Sequence, residues 1–95
     1  MNRSEWVWMP HPGHFICSED CRFHITTKAG HYLISTVGEP WGKYETMVFP
    51  AKARPGTGCC PWVAADWDSV DSSRYDDPAE AYAGHLAMCE KWASK

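Results

Sequence analysis

The stretch CRFHITTKAGHYLISTVG, residues 21–38, constrains the fold of this chain more than any other. Two runs rich in Thr, Ile, Val and aromatic residues flank a short turn, and Gly30 stands where a tight hairpin turn calls for a positive φ. A β-hairpin is predicted here. Side chains alternate along a strand, so Cys21, Phe23 and Ile25 share one face while Arg22, His24 and Thr26 share the other. With Phe23 and Ile25 turned to the core, Cys21 becomes a small buried hydrophobe and His24 faces outward.

The segments around the hairpin extend the same sheet. Glu5 to Met9 reads as a short aromatic strand stopped by Pro10, Pro12 and Gly13. YETMVF, residues 44–49, is a further strand that Pro50 is expected to terminate. Residues 50–61 hold three prolines and two glycines and read as a loop, and WVAADWD supplies a last short strand. The C-terminus changes character. Asp77 can cap a helix with Pro78 at its first position and Glu80 at its third, and Ala79, Tyr82, Ala83, Leu86, Cys89 and Ala93 then share one face. His85 falls at the boundary of that face. The expected fold is α+β, a small antiparallel sheet of about four to five short strands covered by one C-terminal helix, in a single domain spanning residues 1–95.

Composition narrows the function. A chain of 95 residues has room for one core, and six tryptophans are enough to fill it and leave some partly exposed at an interface. A formal net charge of −3 gives no general pull toward nucleic acid or an anionic membrane surface. The start MNRSEWVWMP does not read as a secretion signal, and no run of about eighteen apolar residues predicts a spanning helix. A cytosolic setting follows as the expectation, with the five cysteines as thiols. No nucleophile elbow, phosphate-binding loop, dinucleotide fingerprint or HExxH helix is present, so the chain reads as a non-enzyme.

Residues 11–24, HPGHFICSEDCRFH, raise the question of zinc. Cys17, Cys21, His24 and His31 would supply two thiolates and two imidazoles, yet their spacing lacks the close pairs of a zinc knuckle. Strand parity also puts Cys21 and His24 on opposite faces. The version that survives joins the two Pro/Gly-rich loops, taking ligands from His11, His14, Cys17, Cys59 and Cys60. That ion would be structural or would support a hydrolytic site. The competing reading is no cofactor at all, with reduced, packed cysteines.

Two surfaces are candidates for binding. Residues 66–80, DWDSVDSSRYDDPAE, carry six carboxylates against the one base Arg74. Asp66, Trp67, Asp68, Asp71 and Tyr75 combine acid and aromatic character, as a protein-docking edge does. Turn formation and helix capping account somewhat better for Asp71, Asp76 and Asp77. The second surface is the outer hairpin face, where Arg22 and His24, with Thr26, could meet a phosphate or carboxylate, and an ordinary solvated sheet face explains the same pattern equally well.

Several stretches taken together, WVWMPHPGHFIC, CRFHITT, ISTVGEPW, KYETMVF and GHLAMCEKWA, resemble a group of small proteins encoded by bacteriophages and integrated prophages, a group with no settled activity. Members of that group often carry more residues between the counterparts of GEPW and KYETMVF, where this chain has only Gly42. The resemblance implies a phage-type accessory protein acting in the bacterial cytoplasm, and it assigns no residue a role. Small size, the six tryptophans, the acidic 66–80 segment and the missing catalytic motifs point to a binding module that docks on a host or phage macromolecule.

Overall fold

A computed structural model describes residues 5–9, 24–38, 42–53, 61–66 and 68–95. Six strands and one helix follow one another among these residues: β1 (Val7–Met9), β2 (His24–Ala29), β3 (Tyr32–Gly38), β4 (Tyr44–Ala53), β5 (Trp62–Ala64), β6 (Asp71–Tyr75) and α1 (Pro78–Ala93). All strand pairs are antiparallel, in the order β1-β2-β3-β4, and β5 and β6 both pair with β4. This is the α+β architecture expected, with a single C-terminal helix.

The predicted hairpin is β2–β3, with Ala29 paired to Tyr32 across a two-residue turn. Gly30 has φ +63, and a Cβ there would lie 2.5 Å from the carbonyl oxygen of Ala93. Both the conformation and the close approach of the helix end therefore require glycine. Parity holds for the described residues. Ile25 pairs with Thr36 on the helix-facing side, whereas His24 and Thr26 lie on the opposite face. Cys21, Arg22 and Phe23 lie outside the described residues.

Both faces of the sheet are buried, which the expectation of a single core with a solvated outer face did not include. On the helix side Trp6, Ala29, Ile34 and Val48 pack with Met88, Cys89 and Ala93. On the other side Leu33, Phe49 and Ala64 form a second cluster, with Val7, Met47, Ala51 and Trp62 packed against it. Thr26 and Ser35, also on that side, are 1% exposed. Burial on both faces explains why β3 reads as a nearly continuous run of apolar and hydroxyl residues.

Pro50 does not end its strand. β4 runs on to Ala53, because Pro50 pairs with Tyr32 and the next amide, Ala51, donates to the His31 carbonyl at 2.9 Å. The missing N–H acts on the neighbouring strand. The Pro50 carbonyl accepts from Ala65 at 2.7 Å, and in that register the reciprocal donor to the Ala65 carbonyl would be the nitrogen of Pro50, which carries no hydrogen. The edge strand leaves the ladder at this point and returns where the Val70 N–H donates to the Val48 carbonyl at 2.8 Å, ahead of β6. β5 and β6 thus lie along one edge of β4, interrupted between Ala65 and Val70.

The helix begins as expected. The Asp77 carboxylate accepts from the Glu80 N–H at 2.8 Å, and Pro78 needs no donor in the first turn. Its buried face differs from the expected one. Ala81, His85, Met88, Cys89 and Ala93 are buried, while Ala79 and Ala83 are exposed and Tyr82 is 49% exposed. Gly84 explains the rotation, since a Cβ there would lie 2.1 Å from the Tyr75 ring. Tyr75 sits against bare backbone, and the helix turns His85 rather than Tyr82 toward the sheet.

Candidate functional site

The acidic segment divides into carboxylates that build the fold and carboxylates that do not. Asp71 opens β6 on the helix-facing side, where it accepts from Lys91 Nζ at 2.7 Å and Trp92 Nε1 at 3.0 Å. Those two donors hold its carboxyl below the usual carboxylate range. Asp76 pairs with Lys43, and Asp77 caps α1. Asp66 and Asp68 lie in the excursion from the ladder and are exposed, with the Asp66 carboxylate accepting from the Asp68 amide at 2.6 Å. Val70, where the chain rejoins the ladder, is 47% exposed. Tyr75 is committed to Gly84, and Trp67 lies outside the described residues. Of the residues proposed from sequence for this edge, Asp66 and Asp68 sit together on open surface, while Asp71 and Tyr75 serve the packing of the helix.

On the opposite face of the sheet, His24 is half-buried, and its Nε2 is hydrogen-bonded to Thr26 Oγ1 at 2.6 Å. Thr26 Oγ1 also meets Ser35 Oγ at 3.2 Å. Burial lowers the His24 pKa, which favours the neutral ring. A neutral imidazole offers an anion at most one N–H and no charge. Arg22, its expected partner, lies outside the described residues, as do His11, His14, Cys17, Cys59 and Cys60. Among the described residues no group of three or more His, Cys, Asp or Glu side chains is placed to hold a metal ion.

Sequence reasoning missed the most constrained polar group, which is His85. Its side chain is 0% exposed, with Nε2 at 2.9 Å from Thr27 Oγ1 on β2 and Nδ1 at 2.8 Å from Thr36 Oγ1 on β3. Thr36 Oγ1 continues to Thr46 Oγ1 on β4 at 2.5 Å. The four side chains form one hydrogen-bonded line across three strands. Trp8 of β1 lies beside the imidazole, with ring centroids 5.9 Å apart and planes tilted by 35°. Burial, with a smaller contribution from His24, pushes the His85 pKa down to about 4. A signal for this line exists in the sequence. Parity places Thr27 with Ile25, Thr36 with Ile34 and Thr46 with Val48, so three hydroxyls point inward and need a polar partner from the helix.

Neither protein-family models, nor curated proteins, nor solved structures yield a match to this chain, so the functional argument rests on its own residues. No helix among the described residues is long and apolar enough to cross a membrane.

Proposed function

We propose that this chain is a non-enzymatic protein-binding module of the phage accessory type, acting in the bacterial cytoplasm and docking on a basic surface of a host or phage protein through the 66–70 excursion. One observation carries the reading. Asp66 and Asp68 are exposed on a segment that leaves the sheet, whereas Asp71, Asp76 and Asp77 from the same acidic run have roles within the fold. Among the described residues neither Asp66 nor Asp68 is paired with a cation, as Asp71 and Asp76 are, so their charge is available to a partner, and an acidic edge speeds encounter with a basic one. Val70 adds exposed apolar surface next to them. The imidazole and thiol of α1, His85 and Cys89, are both 0% exposed and serve the packing of the helix.

The test begins with affinity capture from host lysate by the native chain and by an Asp66→Lys/Asp68→Lys variant, followed by titration of the purified partner. The variant should bind at least about tenfold more weakly at low salt, with the difference shrinking as salt rises. Equal affinity for both chains would remove the excursion from the account. Asp71 is left unaltered because its reversal would break the Lys91 and Trp92 contacts and confuse folding with binding.

A further inference from the structure

His85 joins two elements that are otherwise held in different ways. At the middle of α1 its ring bonds Thr27 and Thr36 together, locking the helix to β2 and β3 through one side chain. At the C-terminal end Asp71 of β6 holds Lys91 and Trp92, and Tyr32 packs edge-on against Trp92 with centroids 4.8 Å apart. The sheet also has a core that α1 does not enter, built on Leu33, Phe49 and Ala64 on its far side. The helix can therefore leave one face while the other stays packed.

We propose that protonation of His85 releases the central turns of α1 from the sheet, while the Asp71 contacts hold its C-terminal turn and the two-residue link from Tyr75 of β6 holds its start. Geometry provides the mechanism. A cationic ring would carry N–H at both nitrogens, so Thr27 and Thr36 would both have to accept, and the Thr36 hydroxyl could then donate only onward to Thr46. Hydrogen bonding tolerates this arrangement, but an imidazolium with 0% exposure has no water and needs a counter-charge.

Among the described residues the ring's hydrogen-bond partners are Thr27 and Thr36, neither of them a carboxylate. The ionisable groups on the helix-facing side of the surrounding strands are Tyr32 on β3, Tyr44 and the exposed Lys52 on β4, and Asp71 and Tyr75 on β6, with Glu5 ahead of β1, and Asp71 is engaged by Lys91 and Trp92. His24 and Lys28 on β2, Glu45 on β4 and Arg74 on β6 lie on the opposite face, and on α1 itself Cys89 is buried while Glu80, Tyr82, Glu90 and Lys91 are exposed. Of these only His24 acts on the ring's charge, and it opposes it. Release into water is the way to relieve the charge. Asp71 keeps its own charge to lower pH than an ordinary carboxylate, because Lys91 and Trp92 stabilise it, so the C-terminal anchor holds while the centre lets go.

The experiment follows the full chain by NMR from pH 7 to pH 4, reading the His85 ring nitrogens together with hydrogen exchange of backbone amides corrected for intrinsic rates. Amides of residues 82–89 should lose protection by at least about tenfold relative to β3 and β4, because a freed helix of this length is barely stable in water. The midpoint should coincide with ring protonation. A His85→Gln variant, which cannot be protonated, should keep α1 protected throughout this range. Three results would overturn the proposal: a ring that titrates while α1 stays protected, helix and sheet amides that lose protection together, or an unchanged transition in His85→Gln. If that variant does not fold, the coincidence of ring and amide midpoints in the native chain decides alone.

Discussion

Thr36 has a demanding position, because its hydroxyl lies between His85 Nδ1 and Thr46 Oγ1. Either neutral tautomer of His85 satisfies the line. With the proton on Nδ1 the ring donates to Thr36, which donates on to Thr46, while Thr27 donates to Nε2; with the proton on Nε2 every bond reverses. Replacing Thr36 by Val removes two bonds at once and strands two buried groups, so it should destabilise by about 2–4 kcal/mol. Thr46→Val removes one bond, leaves Thr36 still paired to His85, and should cost about 1 kcal/mol. Urea melts of both variants compare these, and equal losses would mean that the hydroxyls act separately rather than as a line. The pH dependence has a definite sign. The His85 pKa falls from an ordinary 6.5 to about 4 on folding, so the unfolded chain binds the extra proton. Stability from this group is complete above the unfolded pKa and is lost as pH falls from 6.5 through about 4, by on the order of 3 kcal/mol in total. Urea midpoints that stay flat between pH 7 and pH 4 would contradict that sign. His85 was hard to place from sequence because a helix read by its apolar residues puts an imidazole at the margin. Only its partners, dispersed over three strands, move it to the centre.

Elements show where pattern reading succeeds and where pairing overrides it. The β2–β3 hairpin and the start of α1 were legible because each depends on residues adjacent in sequence: Gly30 at the turn, and Asp77, Pro78 and Glu80 at the cap. β6 was not. DSSRY has no β-branched residue and only one aromatic, and it becomes a strand because Tyr44 to Val48 offers it a ladder. The rotation of α1 was equally hidden, since it depends on Tyr75 meeting Gly84 across that unforeseen strand. Gly84→Ala tests the contact directly. In an isolated helix the change would stabilise by about 1 kcal/mol. Here the new Cβ meets the Tyr75 ring, and the net effect should be a loss of about 1–3 kcal/mol. In a Tyr75→Ala background the same substitution should become neutral or favourable. A thermal denaturation cycle of the four chains measures the reversal, and a loss in both backgrounds would show that Tyr75 is not the obstacle.

For the whole molecule, the two cores on opposite faces of one sheet and the charge pattern matter most. The acidic run was visible as a sequence feature, but its division into structural and exposed carboxylates depended on the path of the edge strand, which composition does not encode. Metal content is likewise a whole-molecule question, because the cysteines and histidines of residues 11–17 and 59–60 would have to meet from distant parts of the chain. Protein purified without chelator is expected to carry less than about a tenth of an equivalent of zinc and to melt unchanged on adding chelator, and a stoichiometric ion or a lowered melting point would reverse the reading. The break opposite Pro50 has a further consequence for the protein in a crowded solution. A sheet's outermost strand is a template on which other chains can stack, and long flat edges seed aggregates. Here the edge is cut into lengths of three and five residues with two exposed carboxylates between them. Restoring a continuous edge, by deleting residues 66–69 and replacing Pro50 with Val, should raise fibril formation above that of the native chain, read by thioflavin fluorescence, and equal signals would mean that the break does not protect the edge.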